Sequence, residues 1–226
     1  MSWDFDGVDD ALEYLGTLIT GPPCTLVAWF NSDSQTVSQT ILSTNNAAST
    51  RIRISIAGAV AGDPVRAEHT GASFADTTAG YTAGTWQHAG GVFNTTASRS
   101  AFFMGANKGT NTTAGGTINA YNRVNVACTY NVGSRLQFFN GRIAHCALWN
   151  VGLADNEMLM LGAARISPLF IRPRNLVFYV PFIREKTDCK EPHISGVTTF
   201  SAPAPYADHP RVFMPRRAQI ILPKAA

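Results

Sequence analysis

Acid–base chemistry on a glycosidic bond needs two carboxyl groups, about 5 Å apart when one of them acts as nucleophile. The chain has five glutamates from which to build such a pair: Glu13, Glu68, Glu157, Glu185 and Glu191. Their closest grouping, Glu185-x-x-Asp188-x-x-Glu191, spaces successive carboxylates three apart, and on a strand that spacing points them to opposite faces. Nucleophilic catalysis has no better footing. There is no Gly-x-Ser-x-Gly elbow, and His69, His88, His145, His193 and His209 show no paired metal spacing. Cys24, Cys128, Cys146 and Cys189 form no CxxC pair, so buried thiols are expected in place of a zinc site or a disulfide framework. No catalytic residue is assigned, and the chain is not expected to be an enzyme.

Binding chemistry has more to work with. The stretch "FDGVDD" (5–10) sets Asp6, Asp9 and Asp10 around a glycine. These are hard oxygen ligands of the kind calcium takes, and equally the residues of an ordinary turn between strands. A sugar-binding face needs exposed aromatics beside polar loop groups. Asn107 and Tyr121, bracketing the small-residue run "GANKGTNTTAGGTINAYN", are the candidates, with Tyr81 and Tyr130 in the same loop-rich half.

Charge supplies a third signal. Residues 1–164 carry eight basic and eleven acidic side chains (−3), and residues 165–226 carry ten basic and four acidic (+6). A basic tail of this kind is expected to seek an acidic neighbouring surface, with Arg211, Phe213, Arg216, Arg217 and Ile220 as its contacts. The tail's positive residues are scattered among prolines and not gathered on one helix, so nucleic acid is not an expected partner. No apolar run approaches the roughly 18 residues of a membrane helix. The N-terminal "MSWDFDGVDD" lacks the basic-then-apolar order of a signal peptide, so synthesis in the cytoplasm without one is expected.

The elements that must position these residues are strands. Short apolar runs such as "TLVAWF" (25–30), "RIRISIAG" (51–58), "TWQHAGGVF" (85–93) and "GRIAHCALW" (141–149) recur between Gly-, Asn-, Asp- and Thr-rich clusters, which is the pattern of an antiparallel β-sandwich. In "RIRISI" the isoleucines alternate with Arg51, Arg53 and Ser55, predicting one buried face and one wet face. Asn140-Gly141 predicts a tight turn. The strand after it buries Ile143, Cys146 and Leu148 together only if a β-bulge intervenes at Ala144-His145, which would turn His145 toward an edge or the outer face. One short helix is predicted in "LADNEMLMLGAA", with Asp155 as its cap. The last 35 residues hold six of the twelve prolines among several apolar side chains, the composition of an extended arm lying on a surface.

In order along the chain, "WDFDGVDDALEYL", "CTLVAWFN", "TAGTWQHAGGVFN" and "FFNGRIAHCALWNVGLADNEM" resemble the strand motifs and closing helix of the LamG-like (concanavalin A-like lectin/glucanase) jelly roll. The acidic pair frequent in the family's closing hairpin is replaced by Ala144-His145, and its helix-capping serine by Ala154. "SPLFIRPRNLVFYVPF" and "HPRVFMPRR" resemble LamG-like proteins of tailed bacteriophages. The expected fold is therefore all-β, a two-sheet antiparallel jelly roll over residues 1–183 with one short helix, followed by a proline-rich basic arm over 184–226. The resemblance implies a virion structural or accessory protein, made in the host cytoplasm. It would dock on capsid or tail subunits through jelly roll and arm, and would self-associate. The alternative is a lectin-like module adsorbing to a host glycan. No cofactor is expected beyond a structural calcium that such folds often carry.

Overall fold

The computed structural model describes residues 2–46, 50–70, 73–116, 121–182, 197–200, 206–207 and 212. Two antiparallel sheets face each other as a jelly-roll sandwich. The first runs, edge to edge, through Asn107–Asn111, Ser98–Phe103, Gln87–Thr95, Cys24–Ser32, Asn140–Trp149, Ser2–Asp6 and Tyr206–Ala207, and Leu176–Val180 also pairs with Asn140–Trp149. The second runs through Val197–Phe200, Leu12–Leu15, Arg123–Val126, Ser38–Asn45, Arg51–Ala57, Pro64–His69 and Ser73–Gly80. A separate hairpin, Thr129–Asn131 with Ser134–Leu136, lies over the Ser38–Asn45 and Arg51–Ala57 strands. Two segments of the proline-rich arm thus supply outer strands to the two sheets. Arg211, Phe213, Arg216, Arg217 and Ile220 lie outside the described residues.

Alternation explains what goes between the sheets. Ile52, Ile54, Ile56, Val65 and Ala67 from one sheet meet Leu26, Ala28, Phe30 and Phe93 from the other. Each large side chain so buried contributes about 1.5–3 kcal/mol. The outward face of the first sheet is apolar too. Val27, Val92, Phe102, Trp149 and Tyr179 pack there against Met158 and Leu161 of helix α1 (Asp155–Gly162) and against Ile171. The cap is Ala154, one residue before the expected Asp155, which is instead the first residue of the helix. Glu157 Oε2 accepts the Ala154 N–H at 2.7 Å, while Asp155 accepts from Lys108 Nζ at 2.9 Å.

The bulge expected at Ala144-His145 is present: register against Cys24–Ser32 shifts between Ala144 and Ala147, and His145 has φ 50°. Ile143, Cys146 and Leu148 therefore share the inter-sheet core, while Ala147 and Trp149 join the core under the helix. His145 itself is not at an edge. It is 1 % exposed, with Nδ1 2.7 Å from the Tyr179 hydroxyl, because the outer face here is roofed by apolar side chains. Cys24, Cys128 and Cys146 are free and buried, and burial pushes the Cys128 thiol up to about 12; Cys189 lies outside the described residues.

Asn140-Gly141 is not a turn. Both residues open the Asn140–Trp149 strand, where they pair with Asp6 and Phe5. The glycine is required by close approach, since a Cβ at Gly141 would sit 2.2 Å from Asn31 O at a backbone φ of +126°. The turn lies at Val132-Gly133, where φ is 44° and 83°, the signs a two-residue type I′ hairpin demands. Gly84, by contrast, has φ +76° and open space around its missing Cβ. Gly84→Ala should cost only the left-handed penalty, about 1–2 kcal/mol, whereas Gly141→Ala adds a backbone clash and should cost well above that. Urea unfolding of the two variants checks this; equal losses would show that contact with Asn31 is not what selects glycine at position 141.

Candidate functional site

The outward face of the second sheet is polar, yet its middle is buried. Register aligns Glu13, Asn125, Ser43, Arg53, Glu68 and Phe74 in one row across six neighbouring strands. Arg53 is 7 % and Glu68 4 % exposed, so each must be paired to be tolerated. Glu68 serves two arginines: Arg51 Nε donates to Oε1 and Arg53 Nε to Oε2, each at 3.0 Å, with Arg53 Nη2 also on Oε2. Burial alone would raise this carboxyl, but the charges and hydrogen bonds of Arg53 and Arg51 outweigh it and hold Glu68 below its ordinary range. Beside this trio, Arg66 grips Asp76 through two 2.7 Å hydrogen bonds and stacks over Phe74 at 3.7 Å. At the other end Glu13 meets Arg123 at 3.2 Å and Arg135 at 3.5 Å, and Arg123 stacks over Tyr130 at 3.9 Å. Five arginines thus face three carboxylates, a local +2 on a body whose first 164 residues sum to −3.

Where the hairpin crosses this face it leaves a cavity of about 240 Å³, lined by Arg51, Arg53, Thr129, Asn131, Leu136 and Gln137. Thr129 and Asn131 alternate with Tyr130, so one side of the short strand turns to the cavity. Thr129 Oγ1 and Asn131 Oδ1 are buried without a hydrogen-bond partner among the described residues. Such an orphan costs about 1–3 kcal/mol until something satisfies it.

The family model described as the concanavalin A-like lectin/glucanases superfamily matches residues 6–158. The chain belongs to this superfamily. The fold is also similar to three solved structures. One is a native heptameric SAP-like pentraxin from Limulus polyphemus, with TM-score 0.63, 12 % identity, and coverage of 88 % of this chain and 90 % of that one. Another is the CBM40 of a Ruminococcus gnavus IT-sialidase bound to α2,3-sialyllactose, with TM-score 0.56, 15 % identity, and coverage of 72 % and 98 %. The third is domain 4 of a GH43 extracellular arabinanase from Geobacillus stearothermophilus in complex with arabinotriose, with TM-score 0.52, 13 % identity, and coverage of 67 % and 72 %. Among curated proteins, none matches the chain by sequence.

Within this superfamily sandwich the residues singled out from sequence part company. Tyr121 is 1 % exposed in the inter-sheet core, where burial pushes its phenol upward, so it presents no ring to a sugar. Tyr81 is likewise buried, edge-on to Phe30. Asn107 lies on the outer strand of the first sheet and spends its amide on the second, accepting from Ala79 N at 3.0 Å and donating to Thr78 Oγ1 at 2.8 Å. That amide ties two sheet edges together. Asp6, Asp9 and Asp10 do converge, with one ligand atom of each within 4.8 Å of the others. Asp6 Oδ1, however, already accepts from the backbone N–H groups of Val8, Asp9 and Asp10 at 2.8, 3.2 and 3.4 Å, which holds its carboxyl below the usual range. Asp10 Oδ2 accepts from Asp6 N at 3.3 Å, so the turn caps itself, while Asp10 Oδ1 is buried without a hydrogen-bond partner among the described residues. The cavity residues were missed because "RIRIS" reads as a wet face. The lid that buries it begins 76 residues after Arg53, at Thr129.

Glu68→Gln would leave Arg53 charged, buried and short of its counterion, at a cost of about 3–5 kcal/mol. Because the Glu68 carboxyl is depressed in the fold, its stabilisation is complete above its ordinary value of 4.5 and is lost as pH falls through the folded value. Chemical unfolding should therefore show the gap between wild type and Glu68→Gln wide at neutral pH and closing under acid. A gap constant with pH would mean that the carboxylate charge contributes nothing.

Proposed function

We propose that the chain is a non-catalytic carbohydrate-binding module, with the polar outward face of the second sheet as its binding surface. The observation that carries this reading is the asymmetry between the two outward faces. One is sealed by a helix over an apolar core; the other is an arginine-rich polar row with a cavity and unpartnered acceptors. Polar groups of that kind, set around a concave site, are what orient a hydroxyl-bearing ligand. The Ruminococcus CBM40 and the Geobacillus arabinanase domain, both of this fold, have oligosaccharides bound.

The absence of catalysis is part of the proposal and rests on where the glutamates are. Among the described residues Glu13, Glu68 and Glu157 are each committed to an arginine, and the arginines beside Glu68 and Glu157 hold those two carboxyls below their ordinary range, where they are poor proton donors. Self-association fits the same reading, since several copies multiply a weak single-site affinity; the Limulus pentraxin is heptameric.

A second reading, docking on other subunits of a phage virion, is supported by the charge contrast of −3 over residues 1–164 against +6 over 165–226. It places recognition in the arm, and the two readings separate cleanly by truncation. The full chain should be retained on a glycan array, and retention should survive removal of residues 208–226. Incubation with the retained glycans should release no shortened products. Silence across diverse glycans, or retention abolished by the truncation, would remove the first reading.

A further inference from the structure

The cavity under the hairpin has a chemistry more specific than sugar binding in general. Its lining includes two arginines and no acid. Both oxygens of Glu68, the carboxylate those arginines share, are already occupied. Two guanidinium charges against one carboxylate leave a local +1. Arg53 is committed, with Nη1 on Thr40 Oγ1 at 3.2 Å and its remaining bonds on Glu68. Arg51 has spare capacity: its side chain is 23 % exposed, Nε and Nη2 face Glu68 Oε1, and Nη1 has no hydrogen bond among the described residues. The other charged groups on this face are internally balanced or positive, as Arg66 with Asp76 and as Arg123 and Arg135 with Glu13. An anion meets no competing carboxylate at the lining.

A bare anion would satisfy only half of the site. Asn131 Oδ1 is a pure acceptor and Thr129 Oγ1 is unpartnered, so the ligand must also bring hydrogen-bond donors. Leu136, 44 % exposed, offers an apolar wall to a ring face. At about 240 Å³ the cavity lies below the roughly 300 Å³ at which pockets for drug-sized ligands begin. It therefore fits one ring and not a chain. The hairpin that forms its lid closes through a two-residue turn, which fixes Thr129 and Asn131 relative to the sheet.

We propose that this cavity takes a single carboxylate-bearing sugar residue, its acid group on Arg51 and its hydroxyls on Asn131 and Thr129. The proposal rests on the carbohydrate-binding reading and narrows it to acidic glycans, recognised at a terminal or branching residue.

Titration of the ¹⁵N-labelled full chain with glucuronate, N-acetylneuraminate, glucose and acetate tests it. At least one of the two sugar acids should shift the amides of residues 129–137, with glucose and acetate at least tenfold weaker. Arg51→Gln should weaken that acid at least tenfold, and Asn131→Ala severalfold. Arg51 is partly exposed and Glu68 keeps Arg53 in its absence, so the variant should retain a native dispersed spectrum; Asn131→Ala gives an independent reading should it not. Glucose binding as well as the acids, with Arg51→Gln unchanged, would overturn the acidic class and leave the carbohydrate reading standing. Acetate matching the sugar acids would overturn the sugar part. Hairpin amides unmoved by every probe, while the glycan array retains the protein, would overturn the site alone; unmoved amides and a silent array would remove both readings.

Discussion

The architecture hangs on a single shift of register. Asn140–Trp149 pairs with three strands and must feed two cores, one between the sheets and one beneath the helix. A strand that alternates without interruption offers each core every second residue. Here the residues are ordered so that Ile143 and Cys146 need the same side although three positions separate them. The bulge at His145 supplies the missing half-step. It puts a histidine at positive φ, where its ring nitrogen meets the Tyr179 hydroxyl in place of solvent. Without that half-step Cys146 and Leu148 would point away from the inter-sheet core, and Trp149 into it. Sealing the outward face of the first sheet with apolar side chains follows from this strand.

That other face shows how charge can be buried without being wasted. Taking guanidinium and carboxylate groups out of water costs several kcal/mol per ion, and pairing recovers this only when the geometry is good and the remaining hydrogen bonds are filled. Glu68 has both oxygens filled, and Asp76 is gripped by a planar fork. The surplus falls on the arginine side, at Arg51, which is also the most exposed member of the Arg51–Arg53–Glu68 trio. A surface built only for stability would have little reason to leave an excess guanidinium beside two acceptors that have no partner. Buried side-chain atoms without a partner among the described residues also occur elsewhere, as at Asn31 Oδ1 and Gln39 Nε2; what sets this face apart is that two of them lie beside the excess guanidinium.

The fold was largely legible from residue order, because antiparallel strands with one buried face write their alternation directly into the chain. The isoleucines of 51–56, the bulge in 140–149 and the short helix at 155–162 all follow from local pattern. What failed was what local pattern cannot see. Asn140-Gly141 has the strongest turn dipeptide in its region, yet a strand partner approaching at Asn31 claimed that glycine for clearance. The real turn uses Val132, a β-branched residue that ordinarily avoids positive φ, and so carried no signal. Tyr121 closes a run of small polar residues and reads as exposed, although its ring is drawn into the core just ahead of the Arg123–Val126 strand. Arg51 and Arg53 read as wet because the hairpin that covers them lies far along the chain. Gly141, Tyr121, Arg51 and Arg53 were misread through contacts between segments distant in sequence, and the candidate cavity is likewise built by residues 51–53 meeting 129–137.

Edges complete the constraint on how the molecule can engage a partner. An unpaired strand edge is a template for addition of another chain. At one side of the sandwich Asn107 bridges the outer strands of both sheets, and Gly109 lets the backbones close there, where a Cβ would stand 1.7 Å from Asp76 O. At the other side Val197–Phe200 pairs with Leu12–Leu15, and Tyr206–Ala207 pairs with Ser2–Asp6. The proline-rich arm, whose composition suggests a ribbon reaching outward, spends two of its segments closing its own body. With those strands in place, the edge of Leu12–Leu15 and of Ser2 and Trp3 is occupied, and the short arm strands become the outer strands on this side. Strands of four and two residues offer little ladder for another chain to extend, which is one of the ways a sheet edge is blunted.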